Sequence, residues 1–169
     1  METREEQHNK WLNDLNEGQK GERVIAEHII NKKDGEYEIV EFGNDHKYDF
    51  KLESKLKETY IYFEVKTDRY EYFKDIHTGN LFIEVSCSGK PSGVSTTQAD
   101  YFVYYFPDKE LAYLIKVNDL KTLLLTEDHI RSTQSGDGGR VSGYLINRET
   151  WGHKFIILKI KKDTEIWTN

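Results

Sequence analysis

Asp49, Glu64 and Lys66 are charged residues within two short stretches that are otherwise mainly apolar or aromatic. The second stretch, residues 60–66, alternates as a half-buried β-strand does, which puts Glu64 and Lys66 on one face and the apolar residues on the other. The first stretch, residues 48–52, predicts another strand. Carboxylates on a strand face can hold a metal ion, and an ammonium group on the same face can act on a bound water.

The polar residues 54–58 predict a turn that joins the two strands as an antiparallel hairpin. Asp49 and Glu64 lie equally far from the middle of this turn, so their Cβ atoms should be roughly 5 Å apart across the strands. Like charges placed opposite each other destabilise a sheet, and a divalent metal is the natural compensating cation. The alternative interpretation is a cross-strand salt bridge between Asp49 and Lys66 on a solvated sheet face.

Asp49 followed by Glu64-Val65-Lys66 resembles the motif of the PD-(D/E)XK nuclease superfamily, with Tyr48 where the family has proline. The resemblance covers about residues 21–106, the length of the family's core. It implies an α/β fold with a restriction-endonuclease-like core, in which a central mixed β-sheet is flanked by helices. It also implies a metal-dependent DNA endonuclease. We expect a single nuclease-like domain over residues 1–169, with residues 107–169 as a C-terminal extension.

The residue types fit phosphodiester hydrolysis, which needs an attacking water and neutralisation of the charge that builds on the phosphate. Asp49 and Glu64 offer hard oxygen ligands, and the backbone carbonyl of Val65 offers a third. This set suits Mg²⁺, which keeps several of its waters, and we expect Mn²⁺ to substitute. Lys66 would orient or deprotonate the attacking water and stabilise the pentavalent phosphate.

Glu22 lies within the apolar stripe of a helix predicted over residues 18–33. At 100° per residue, its side chain points in the same general direction as Ile25 and Ile29, towards the sheet. One interpretation is a carboxylate that favours the helix dipole. The other is a role beside the metal, where the resemblance implies a glutamate. Glu84, an acid among apolar neighbours in a predicted strand, is left open as a further site carboxylate or a satisfied edge residue.

Residues 89–93 lack the GxxxxGK[ST] spacing, which excludes a P-loop NTPase. Residues 95–98 match a capping box and predict a short helix, whose N-terminus could offer N–H groups to a phosphate. The stretch that continues into residues 101–106 resembles the segment after the catalytic strands of small phage and bacterial PD-(D/E)XK nucleases. The candidate nucleic-acid contacts are Lys90, Gly93, Ser95, Thr96 and Gln98. A loop without a ligand is the alternative.

Periodicity predicts the remaining elements. Strands are expected over residues 37–42, 81–85, 101–106, 111–117, 141–146 and 154–160, with helices over 4–15 and 118–125, the latter capped by Asn118 or Asp119. Residues 67–79 are expected to form an ordinary hairpin loop, with a substrate flap as the alternative, and residues 132–139 a mobile loop.

Composition describes a soluble, cytoplasmic protein with 37% hydrophobic and 32% charged residues. One cysteine and six scattered histidines exclude a disulfide framework and argue against a zinc site. No apolar stretch approaches the length of a membrane span. The net charge of −6 argues mildly against the expected DNA partner. The alternatives are therefore a catalytically weak or inactive nuclease-like protein that binds nucleic acid or inhibits, and a plain interaction protein. A homodimer is compatible with either nuclease-like function.

Overall fold

The computed structural model describes residues 4–43, 47–69, 80–127, 130–135 and 139–161. Within these ranges the α-helices are α1 (Arg4–Lys32), α2 (Val117–Thr126) and α3 (Arg148–Trp151). The strands are β1 (Tyr37–Phe42), β2 (Phe50–Ser54), β3 (Thr59–Thr67), β4 (Asn80–Cys87), β5 (Lys90–Pro91), β6 (Tyr101–Phe106), β7 (Leu111–Lys116), β8 (Arg131–Ser135), β9 (Val141–Asn147) and β10 (Ile156–Lys159).

The central sheet is mixed and has the strand order β1-β2-β3-β6-β7-β10. β3 and β6 are parallel, and the other neighbours in this sheet are antiparallel. A second, antiparallel sheet has the order β5-β4-β9-β8. The predicted α/β fold with a central mixed sheet is therefore confirmed. Residues after 106 complete both sheets, since β7 and β10 join the first and β8 and β9 join the second.

α1 covers one face of the central sheet. Ile25 and Ala26 are fully buried there against Phe50, Phe63 and Val103. Burying a side chain of this size contributes about 1.5–3 kcal/mol relative to leaving it exposed, so this face anchors the helix.

The opposite face of the central sheet is covered by α2 and the second sheet. Leu120 of α2 and Leu81 and Ile146 of the second sheet pack in one cluster with Phe102 and Tyr104 of β6. The second sheet was not anticipated from the sequence. Its presence means that Glu64, on this side of β3, lies towards a covered face, whereas Lys66 near the end of the strand is exposed.

Turn chemistry agrees with the backbone at two positions. Asp34 and Gly35 have φ values of 43° and 79° and end α1, as predicted. Ser88 and Gly89 have φ values of 51° and 76°, and they form the tight turn between β4 and β5. Gly89, Lys90 and Pro91 are therefore part of a hairpin, which agrees with the absence of a phosphate-binding loop.

The predicted register of the β2–β3 hairpin is confirmed. The pairs run from Ser54↔Thr59 to Phe50↔Phe63, symmetrically about the turn. The strands predicted over residues 37–42 and 101–106 have the bounds that the structure shows.

Three local predictions were wrong. The two helices expected over residues 4–15 and 18–33 are one helix of 29 residues, in which Gly18 is tolerated despite a cost of about 1 kcal/mol. Residues 131–135 form β8 and not a loop, because pairing with β9 supplies their backbone hydrogen bonds. Their sequence has no apolar pattern that would have indicated a strand. α2 begins after Lys116, so neither Asn118 nor Asp119 is its cap.

The predicted capping box at Ser95 to Gln98 was also wrong. Gly93–Ser95 is one turn of 3-10 helix, and residues 97–99 that follow it belong to no helix or strand. A single 3-10 turn has no helix N-terminus at which a phosphate could be held. The loop predicted over residues 67–79 lies outside the described residues from residue 70 onwards, as do residues 136–138 of the other predicted loop.

Gly21 lets α1 approach the end of β3. A Cβ at this position would clash with the Thr67 hydroxyl and lie 3.1 Å from Thr67 Cβ. The contact fixes the height of the helix over the sheet and thereby places Glu22, the next residue.

We expect Gly21→Ala to lower the free energy of unfolding by about 1–3 kcal/mol, because the added methyl overpacks the contact with Thr67. Gly18→Ala on the same helix is the matched control, since a Cβ there meets nothing within 4 Å. The control should keep or raise stability, by up to about 1 kcal/mol. Urea unfolding of the two variants tests this; equal midpoints would show that the contact with Thr67 is loose.

Candidate functional site: a carboxylate cluster

Asp49 lies where β2 and β3 leave their regular pairing. The last ladder pair is Phe50↔Phe63, and the Asp49 amide then donates to the Phe63 carbonyl at 2.8 Å. The Asp49 side chain takes the next donor on β3, accepting the Val65 amide N–H at its Oδ2 at 2.6 Å. This bond joins the Asp49 carboxylate to β3 at the residue that follows Glu64.

Glu64 is a strongly perturbed member of the cluster. Burial raises its pKa to about 7, and the negative charges of Asp49, Glu22 and Glu84 add to the effect. A hydrogen bond from the Thr97 hydroxyl to Glu64 Oε2, 2.9 Å long, acts in the opposite direction. Perturbed carboxyl groups of this kind concentrate at functional sites.

Glu22 belongs to the same cluster. Its pKa is raised to about 7, chiefly by burial and also by the charge of Asp49, while Arg23 acts in the opposite direction. The apolar stripe of α1 indicated that Glu22 would point towards the sheet, and the structure brings it within electrostatic reach of Asp49 and Glu64.

Glu84 approaches the cluster from the second sheet. Its charge acts on Glu64, and its Oε1 accepts a hydrogen bond from the Ser92 hydroxyl at 2.7 Å. A Cβ at Gly93 would lie 2.5 Å from the Glu84 carbonyl oxygen, and Gly93 has a φ of 54°. Glycine at position 93 therefore has a packing reason that is independent of any phosphate.

Thr97 is a site residue that the sequence analysis did not select. It is 6% exposed, and its hydroxyl contacts Glu64 Oε2 and also the Lys47 carbonyl, at 3.0 Å. One hydroxyl proton cannot serve both acceptors, but a protonated Glu64 would donate to Thr97, which would donate to Lys47. No spacing rule singles out this threonine, since it lay inside the sequence misread as a capping box.

Lys66 is exposed and follows Glu64 by two residues on β3. Among the described residues, no carboxylate forms an ion pair with it, so the alternative Asp49–Lys66 salt bridge is not formed. In the β3–β6 ladder Lys66 lies opposite Tyr104. The Tyr104 hydroxyl donates to Asp68 Oδ2 at 2.5 Å. This bond holds the chain that leaves β3.

The five candidate nucleic-acid contacts are spread over two places. Lys90 is exposed in β5, away from the turn that contains Thr97. Ser95, Thr96 and Gln98 are exposed near Thr97, and the Gln98 amide donates to the Lys47 carbonyl at 2.8 Å. The segment from Thr97 to Gln98 thus fastens the chain that leads into Asp49.

The negative charge of the cluster suits a divalent cation, but its side chains do not form a complete set of metal ligands. No group of three or more His, Cys, Asp or Glu side chains within the described ranges is arranged to hold a metal ion. Mg²⁺ is usually held by one or two carboxylates and several waters, and Asp49 and Glu64 are the two carboxylates that could hold it here. A cation between them would remove the repulsion that raises the pKa of Glu64.

Comparison with known proteins adds little to this geometry. No protein-family model matches the sequence, and no curated protein matches it. Among solved structures, the chain is similar to a bacterial homing endonuclease, with 14% sequence identity and a TM-score of 0.44 over 90% of this chain and 81% of that chain. The identity and the score are too low for any role to be carried over to this chain. No described helix has the length and apolarity needed to cross a membrane.

In EDTA, we expect the free energy of unfolding to fall as the pH rises from about 4.5 to about 7. Glu22 and Glu64 have raised pKa values in the folded chain, which therefore binds more protons than the unfolded chain in this interval. Glu64→Gln should flatten the dependence, because the neutral amide cannot ionise. Glu27→Gln, on the exposed side of α1, is the control and should leave the slope as in the parent. Denaturant unfolding at several pH values measures it, and a parent slope of zero would contradict the buried cluster.

We expect Thr97→Val to move the titration of Glu64 to a pH above 7, because the hydrogen bond that lowers its pKa is lost while the side-chain shape is kept. Thr97→Ser keeps the hydroxyl and should titrate as the parent does. Carbon-detected NMR of the glutamate carboxyl groups gives the readout. Identical titrations in the two variants would mean that the bond from Thr97 contributes nothing.

Proposed function

We propose that the chain is a metal-dependent deoxyribonuclease of the PD-(D/E)XK type, which hydrolyses phosphodiester bonds in DNA with Mg²⁺ or Mn²⁺. The observation that supports this most is the partly buried pair of Asp49 and Glu64, which lie across the β2–β3 hairpin from each other. The exposed Lys66 follows Glu64 by two residues on β3. A pair in which the charge of Asp49 raises the pKa of Glu64, beside a lysine without a described ion pair, suits hydrolysis better than it suits stability.

In the proposed reaction, a divalent cation would lower the pKa of a bound water and neutralise charge on the phosphate. Asp49 and Glu64 would hold that cation through carboxylate oxygens. The Val65 amide keeps Asp49 in place by its hydrogen bond, and Thr97 orients Glu64. The Lys66 ammonium would orient or deprotonate the attacking water and stabilise the developing negative charge.

Glu22 would act beside the metal, as a direct or water-mediated ligand, since its carboxylate lies within electrostatic reach of Asp49 and Glu64. Its pKa of about 7 lets it take up a proton near neutral pH. The proposal includes a cytoplasmic location, with DNA as the partner, and a homodimer remains a prediction.

A second function has one observation in its favour. Because the described carboxylates form no ready three-ligand group, a nuclease-like protein that binds nucleic acid without cutting it would have the same side-chain arrangement. Binding of DNA without hydrolysis at any concentration of Mg²⁺ or Mn²⁺ would select this function over the enzyme.

We expect Asp49→Ala and Glu64→Ala to abolish DNA cleavage and to weaken Mn²⁺ binding by at least about tenfold. Lys66→Ala should abolish cleavage and leave Mn²⁺ binding within about twofold, because the ammonium group is not a ligand. The assays are cleavage of supercoiled plasmid and titration calorimetry with Mn²⁺.

Lys116→Ala is the matched control for Lys66→Ala, since Lys116 is an exposed lysine at the end of β7 in the same sheet. It should cleave as the parent does. The proposal fails if the parent chain does not cleave DNA with either ion, or if all three site variants bind Mn²⁺ as tightly as the parent.

A further inference from the structure

A groove of about 1000 Å³ lies beside α1, between the helix and the ends of β6 and β10. Its lining includes apolar or aromatic residues, among them Val24, Tyr105, Pro107 and Ile160. Six cationic side chains also line it: Lys20, Arg23, Lys32, Arg69, Lys159 and Lys161. Three carboxylates, those of Glu17, Glu27 and Asp108, are the lining anions among the described residues.

The sign of this charge is opposite to that of the chain. The groove has three more cations than carboxylates, whereas the whole sequence has 24 Lys and Arg against 30 Asp and Glu. Walls with an excess of one charge sign concentrate the field inside a groove and attract ligands of the other sign. The groove is therefore an anion-attracting surface on an acidic protein.

The groove and the carboxylate cluster share two structural elements. Gly21 lines the groove and precedes Glu22 of the cluster on α1. Arg69 lines the groove and follows Lys66 by three residues, at the end of β3. Between them, the Asp68 amide donates to the carbonyl of Tyr105, another lining residue, at 2.8 Å. The groove and the cluster are thus adjacent along α1 and along the chain that leaves β3.

We propose that this groove binds the sugar-phosphate backbone of DNA beside the phosphate that is cleaved, an inference that rests on the proposed nuclease function. Lysine and arginine side chains along the walls neutralise successive phosphates, and the apolar lining accepts the sugars. Contacts of this kind do not read sequence, so the groove would fix the position of the strand and not its base order. The cations of the groove also supply the local basic surface that a net charge of −6 conceals.

The test is the salt dependence of DNA binding by the full chain. Lys159→Gln with Lys161→Gln removes two charges from one wall of the groove, where both lysines are exposed. Lys55→Gln with Lys57→Gln removes the same charge from the exposed β2–β3 turn and is the matched control. Fluorescence anisotropy with a duplex of about 20 base pairs, in EDTA and again with Ca²⁺, measures binding without requiring cleavage.

We expect the groove variant to bind about tenfold more weakly at about 0.1 M salt, and the slope of log K against log salt to become shallower by about 2, one phosphate contact for each lysine. The control variant should keep the parent's slope, and both should melt at the parent's temperature. The inference is overturned if the groove variant keeps the parent's affinity and slope. It is also overturned if the parent chain binds ATP in the groove and does not bind duplex DNA.

The same experiment separates the inference from the function on which it rests. If the parent chain never cleaves DNA but binds it in a salt-dependent way, and the groove variant binds more weakly, the nuclease function is refuted and the groove inference is kept. Cleavage by the parent together with unchanged binding in the groove variant would refute the groove and keep the nuclease.

Discussion

The hydrogen bond from the Val65 amide to Asp49 is the interaction on which the rest of the site depends. It holds one carboxylate at the point where two strands part, opposite a second carboxylate, Glu64, that is partly buried. Neither charge is neutralised by Lys66 in the described part of the chain. The folded chain therefore keeps a repulsion that proton uptake or a cation can relieve, as sites evolved for reaction commonly do.

The elements that the sequence predicted best are those with a local cause. The register of the β2–β3 hairpin follows from the symmetric spacing of its strands about a polar turn, and shifting it by one residue would reverse every side chain. The direction of Glu22 follows from the helical period of its neighbours, Ile25 and Ile29. In both cases the information lies within a few residues, where period and turn chemistry are sufficient.

The elements that the sequence did not predict have causes far away in the chain. β8 is a strand because β9 supplies its partners, and its own residues, from Arg131 to Ser135, are mostly polar on both faces. Thr97 matters because Glu64 and Lys47 meet it in space, 33 and 50 residues away in sequence. The cations beside α1 come from several segments whose charges are unremarkable in any window of sequence. These features depend on contacts between distant segments of the chain, and no local sequence pattern predicts such contacts.

The burial of Ile160 has a consequence for how the chain acquires its fold. Ile160 is 1% exposed in the cluster that also contains Ile25 and Ala26 of α1, and its amide donates to the Glu110 carbonyl at 2.8 Å. A ribosome delivers α1 early and residue 160 late, so the apolar stripe of the helix lacks part of its cover during most of translation. Pairings between such distant segments form slowly, and they leave apolar surface accessible to other chains meanwhile. The cover of α1 is therefore complete only when β10 has joined the sheet.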